Sequence, residues 1–346
     1  MRRFGLWAAA TVAAFAVAPT AASAAVVSIE SGLQVIGGPE RNEIGLATGG
    51  LGVVIADNAG MALPPGLPPE VCRQDAPTVV TCVLEGLRVK AGGGDDVVNG
   101  SGLAHAVGIS GEAGNDAIVG SNVNTPGTPD GDQLIGGAGN DVVRAGGGDD
   151  LPTGGPGDDV VEGGDGNDRL DNIHEGDGPL AGDAGSDRLD GGAGNDQVNA
   201  TKGRDRALGG AGDDNLVLMD FVAETAARNT RGRALADCGS GTDRALVGGF
   251  DTLAACEVLQ VGVTCVRYPC RARLVLEQVR GPRRIRLLSR TGTATGRFPS
   301  ILARLPARFL AARRLVTLAH ADILSGPRRG TTDFYGYFDL TFVRSL

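Results

Sequence analysis

Twelve aspartates carry the chemistry that this sequence can do: Asp96, Asp116, Asp132, Asp141, Asp150, Asp159, Asp168, Asp187, Asp196, Asp205, Asp214 and Asp243. Each is the sixth residue of a nine-residue skeleton, most regular in GGAGNDVVR (136–144), with glycine first, second and fourth and an aliphatic residue eighth. Eight copies lie in two unbroken blocks, 136–171 and 182–217; looser copies stand at 91–99, 111–119 and 127–135, and an isolated one at 238–246. Carboxylates can act as acid/base pairs or as ligands to a cation, and the fixed spacing decides between these roles. Turns stacked at strand spacing, about 4.7 to 4.9 Å, bring the aspartates into a file that repels itself unless a cation sits along it. Carboxylate and carbonyl oxygens are hard ligands. Ca2+ accepts 6 to 8 of them in flexible geometry, whereas Mg2+ requires a tighter octahedron and retains water. Several Ca2+ ions are therefore the expected cofactors.

No catalytic constellation competes with this reading. His174-Glu175 is followed by Gly176, Asp177 and Gly178, which breaks the H-E-x-x-H zinc pattern, and no G-x-S-x-G nucleophile turn occurs. The three histidines, His105, His174 and His320, lie in different segments, and the chain is expected not to be an enzyme.

The elements that position the aspartates follow from the same skeleton. Glycines let a six-residue turn adopt left-handed and crowded conformations. The last three places, x-hydrophobic-x, make a very short strand whose middle residue points inward: Val143, Val161, Leu170, Leu189, Val198 and Leu216. With 57 glycines and only 4 % aromatic residues, the chain lacks the side chains of an ordinary core. The period of nine excludes collagen, and aliphatic residues recurring in register exclude simple disorder.

The array resembles the RTX (repeats-in-toxin) haemolysin-type calcium-binding family of exported bacterial proteins, over roughly residues 91–217 with an echo at 238–246. The resemblance implies an all-β fold: a parallel β-roll with two nonapeptides per right-handed turn and calcium between loops two repeats apart on one edge. Carried onto this chain, it pairs Asp141 with Asp159, Asp150 with Asp168, Asp187 with Asp205, and Asp196 with Asp214. Across the irregular NIHEGDGPLA (172–181), Asp168 and Asp187 are 19 residues apart, which reads as one bulged rung. The chain departs from the pattern at Pro152, which takes an inward aliphatic place, at Lys202 and Arg204 within one loop, and in the irregular spacing of the upstream copies.

Four segments are expected: a signal peptide (1–24), an N-terminal β cap (25–90), the roll with its terminal capping segment (91–261), and an arginine-rich, small β-sandwich-like module (262–346). The first has a basic start, an apolar alanine-rich run and the small-residue site Ala22-Ser23-Ala24, so the mature chain, cleaved near Ala24, is expected to be secreted, or else periplasmic or at the cell surface, without a membrane span, and monomeric. Six cysteines fall in three close pairs, Cys72/Cys82, Cys238/Cys256 and Cys265/Cys270. Among 15 connectivities, the short loops favour local disulfides in an exported chain, with thiol-bound metal as the rival reading. The resemblance also assigns Cys238 and Cys256 to a staple on the last aspartate loop. Charge is segregated: 24 acidic against 6 basic residues in 91–217, and 4 acidic against 16 arginines in 262–346. An arginine-rich face of this kind would attract anionic cell-surface polymers, or else be merely solvated. The function expected is a secreted calcium-binding structural or surface-binding protein; the alternative is a non-catalytic accessory subunit or remnant of a secreted RTX hydrolase.

Overall fold

The computed structural model describes residues 25–28, 32–49, 52–65, 67–83, 86–123, 131–171, 185–200, 204–218, 234–247, 252–262, 270–280, 283–294, 300–310, 314–323, 330–331 and 338–343. Among them the chain is almost entirely β, with one four-residue helical turn, Ala307–Leu310. Successive nonapeptides contribute strands alternately to two sheets. Val142–Gly147 pairs in parallel with Val160–Asp165 in one, and Gln133–Ala138 with Leu151–Thr153 in the other. The 18-residue offset, as Val142↔Val160 and Gln133↔Leu151 show, makes two nonapeptides one rung of a parallel β-roll.

The eighth-place side chains fill the space between the sheets. Val143, Val161, Leu189 and Ala207 are fully buried along one sheet; Leu134, Leu170, Val198 and Leu216 are fully buried along the other. Pro152 takes the place opposite Leu134 and is buried as well. Its missing N–H is tolerated because the register there bonds Leu151 N to Asp132 O at 2.9 Å and asks nothing of residue 152.

One expectation about the register is corrected. Asp168 and Asp187 do not share an edge: Val160 pairs with Arg188 and Arg169 with Gln197, so the offset across the irregular segment is 28 residues. Ten inserted residues are added to a complete rung of two nonapeptides, so each strand keeps its own sheet and every inward side chain keeps its face.

The ends are built on the same two sheets. Gln34–Ile36 and Glu43–Gly49 pair in parallel with Arg88–Gly93 and Val97–Gly102, one in each sheet. Antiparallel strands Gly52–Asp57, Val79–Cys82 and Cys72–Ala76 then extend the edge, where the Cys72–Cys82 disulfide joins directly opposed residues. At the other end, Ser300–Arg304 pairs with Val258–Gly262, and Phe338–Val343 pairs in parallel with Thr252–Ala254. Arg314–Ile323, Cys270–Arg280 and Arg283–Ala294 follow in antiparallel order. Among its described residues the arginine-rich segment is β apart from the turn Ala307–Leu310, and its strands continue both sheets of the roll. Cys238–Cys256 is a disulfide; Cys265, His174, the 172–181 segment, Lys202 and residues 332–337 lie outside the described residues.

Candidate metal centre

The sixth-place aspartates form two files, one along each edge of the roll. In the first, each aspartate N–H donates to Oδ1 of the aspartate one rung on: Asp96 to Asp116 (2.8 Å), Asp116 to Asp141 (2.7 Å), Asp141 to Asp159 (2.8 Å), Asp159 to Asp187 (3.0 Å) and Asp187 to Asp205 (3.1 Å). In the second, Asp132 donates to Asp150 (2.7 Å), Asp150 to Asp168 (2.8 Å), Asp168 to Asp196 (2.8 Å), Asp196 to Asp214 (2.9 Å) and Asp214 to Asp243 (2.8 Å). The four pairs carried over from the repeat pattern are all neighbours in these files, and the irregular upstream copies join them in the same geometry.

One oxygen of these carboxylates is thereby used, and in eight of them the other is left over. Oδ2 of Asp96, Asp116, Asp141, Asp150, Asp168, Asp196, Asp214 and Asp243 is buried with no hydrogen-bond partner. A buried, unmatched carboxylate oxygen is expensive in a water-excluded site. The first-place glycine shows what it faces. A Cβ on Gly136 would lie 2.5 Å from both Asp141 Oδ2 and the Gly154 carbonyl oxygen of the next rung. On Gly191 it would lie 2.5 Å from both Asp196 Oδ2 and Gly209 O. The same two kinds of oxygen surround the corresponding point at Gly111 and Gly163. First-place glycine leaves an oxygen-lined gap in these repeats, whereas Ala91, Ala145, Ala200 and Cys238 take that place in others. Second- and fourth-place glycines answer a different demand, with Gly137 at φ 120° and Gly139 at φ 140°.

Electrostatics mark the same oxygens. Burial raises every carboxyl for which a shift is resolved in these files, and neighbouring carboxylates add to it at all but Asp132 and Asp141. Asp168 is pushed up to about 8, Asp196 and Asp243 to about 7, and Asp116 and Asp150 to about 6; Asp96, Asp132, Asp141 and Asp214 are raised as well. The backbone N–H to Oδ1 opposes the rise without cancelling it. Among the described residues no three His, Cys, Asp or Glu side chains converge on one point. Carboxylates alone cannot complete a shell, so loop carbonyls must supply the rest, and a mixed carboxylate and carbonyl set suits Ca2+.

Three features of the files are not evident from the aspartate spacing. Asp132 differs from the others: its Oδ1 accepts from Val107 N (2.8 Å) and Ser121 Oγ (3.1 Å), and its Oδ2 from Ser121 N (2.5 Å). Glu257 closes the second file, its Oε2 accepting from Asp243 N at 3.0 Å. The residues after it, Val258-Leu259-Gln260, follow the strand pattern and could have identified it. Fifth-place residues form an outer ladder: Asn140 N donates to Asn115 Oδ1, Asp158 N to Asn140 Oδ1, Asn195 N to Asn167 Oδ1 and Asp213 N to Asn195 Oδ1, at 2.7 to 2.9 Å. The signal was present in the Asn or Asp that precedes eight of the twelve sixth-place aspartates.

Residues 126–151, 153–171 and 181–216 match the RTX calcium-binding nonapeptide repeat, in four copies. No curated protein matches the chain significantly. No catalytic family is indicated, and among the described residues no helix is long and apolar enough to cross a membrane.

Proposed function

From the premise that the array consists of RTX calcium-binding nonapeptide repeats, which bind Ca2+ at multiple sites, we propose that this is an exported structural or surface-binding protein whose roll folds on calcium. The observation that carries the reading is the row of eight buried, partnerless Oδ2 atoms, several of them facing a carbonyl of the next rung. Asp96, Asp116, Asp141, Asp150, Asp159, Asp168, Asp187, Asp196, Asp205, Asp214 and Asp243 supply the carboxylate ligands. Asp132, whose oxygens are both hydrogen-bonded, serves as a cap. The ion supplies the positive charge the files lack, while the chain orders the carbonyls and excludes water. Export with cleavage after Ala24 fits two local disulfides, and the 16 arginines of the C-terminal module would attract anionic polymer at the cell surface. Circular dichroism of the mature chain in chelator and then in millimolar calcium tests the folding claim. A cooperative gain of β signal is expected; an unchanged spectrum would sink the proposal.

A further inference from the structure

Residues 37–45, GGPERNEIG, have glycine at places one and two and an aliphatic residue at place eight, with asparagine at place six. The fold puts them on the rung before Asp96, since Ile44 pairs with Val98 and Asn42 N donates to Asp96 Oδ1 at 2.6 Å. The Asn42 side chain is fully buried. Its Nδ2 lies 3.4 Å from Gly38 O, 2.6 Å from Glu40 O, 3.1 Å from Ala91 O and 3.0 Å from Asp96 Oδ1. These are the carbonyls of places two and four of its own loop, the place-one carbonyl of the next rung, and the next carboxylate. Four oxygens surround a group with two protons, so the amide meets, with its own hydrogens, oxygens of the kind that a cation would otherwise meet. A Cβ on Gly37 would meet Ala91 O and Nδ2, just as one on Gly136 meets Gly154 O and Asp141 Oδ2.

We propose that residues 37–45 are a degenerate first repeat in which Asn42 Nδ2 stands where the other repeats have the aspartate Oδ2, so that its protons satisfy the surrounding oxygens in place of a cation. This rung closes without metal and gives the roll a calcium-independent foundation, and its oxygens form a latent calcium site. The inference rests on calcium loading of the array, so the ion count of the native chain serves as its control. Ions per chain are measured by equilibrium dialysis and elemental analysis on the mature chain and on Asn42→Asp. The variant should hold one ion more, and its melting temperature should depend more steeply on calcium. An equal count in the two chains, or a variant that fails to fold in millimolar calcium, overturns the proposal. Asn42→Ala, which supplies neither donor nor ligand, should melt lower in chelator and calcium alike with no ion gained; an unchanged melting temperature also overturns it. A native chain that binds no calcium would contradict the calcium reading and leave the Asn42→Ala comparison standing.

A separate contact carries a second inference, which rests on cleavage after Ala24. Ala25 N lies 3.1 Å from Gly60 O and 3.2 Å from Asp57 Oδ2; both Ala25 and Asp57 are buried in the uncut chain, and Asp57 Oδ1 accepts from Ala59 N at 3.2 Å. As a peptide nitrogen it has one proton for two acceptors. Hydrolysis of the Ala24–Ala25 bond by a signal-peptidase-class protease and water leaves a carboxylate on Ala24 and an ammonium on Ala25. We infer that this ammonium pairs with Asp57 and locks the first strand, so that processing completes the cap. In residues 25–346 prepared with a free α-amine, Asp57→Asn should lower the melting temperature more than in the same chain preceded by Gly-Ser. The α-amine should also be acylated at least tenfold more slowly in the folded than in the unfolded protein. Equal effects of Asp57→Asn in the two chains, or equal acylation rates, overturn the inference. N-terminal sequencing of the secreted protein separately tests where it is cleaved.

Discussion

Each repeat assigns its aspartate oxygens to two tasks, and the two are separable by mutation. Oδ1 holds the preceding rung's backbone in register, while Oδ2 waits on a cation. Asp196→Asn keeps an oxygen for the backbone N–H and removes the charge, so it should weaken one ion site by at least about tenfold, or about 1.4 kcal/mol of calcium-linked stability. Gly191→Ala should do the same by a different route, because its methyl would sit 2.5 Å from Asp196 Oδ2 and Gly209 O. Calcium titration followed by melting temperature reads both; wild-type affinity in Gly191→Ala would show that the gap is not the site. The pH response has a definite sign. These carboxyls are raised in the fold, to about 8 at Asp168 and about 7 at Asp196 and Asp243, above an unfolded value near 4. The stability they contribute is greatest below the unfolded value and is lost as pH rises through the folded values. In chelator, therefore, the roll should gain stability as pH falls from about 8 towards 4. Calcium affinity should fall over the same range, because protons and calcium compete for the same oxygens. Thermal melts across that range, with and without calcium, would show opposite slopes.

The repeat elements were legible in the sequence because their period is set by local chemistry. Glycine at places two and four, aspartate at six and an aliphatic residue at eight each answer one backbone or packing demand, so alignment alone gives the strands, the inward residues and the neighbours in each file. What could not be read was the count across the irregular segment, since a 19-residue gap and a 28-residue rung use the same residues; only strand pairing distinguishes them. The first repeat was hidden for a similar reason: Asn42 replaces the marker residue while keeping the geometry. The register makes a prediction at this scale. Removing residues 172–181 shortens the rung from 28 to the 18 residues of its neighbours, so the deleted chain should fold with the same number of calcium ions. Its melting temperature should stay the same or rise, because a shorter connection closes at less entropic cost. A lost ion or a lower melting temperature would give those ten residues a structural role.

Across the whole molecule, charge and topology work against each other until calcium is present. The array carries 24 acids against 6 bases, while the C-terminal segment carries 16 arginines against 4 acids, and two of its strands pair directly with the end of the roll. That pairing joins the segment to the roll: Ser300–Arg304 lies on the edge of Val258–Gly262 and Phe338–Val343 on that of Thr252–Ala254. Residues 262–346 alone would expose those strand edges and should aggregate or remain poorly folded, so the full mature chain is the proper reagent for binding. In chelator, the unneutralised array competes with any anionic polymer for the arginines. With calcium on its carboxylates, that competition weakens. Binding of the full chain to acidic polysaccharide or to DNA should therefore be tighter in calcium than in chelator, and should fall steeply between about 50 and 200 mM salt as counterion release becomes less favourable. Titrations over that salt range, with calcium fixed and then removed, measure both dependences. Binding that ignores salt, or that is stronger in chelator, would mean that the arginines serve solubility and take no part in recognition.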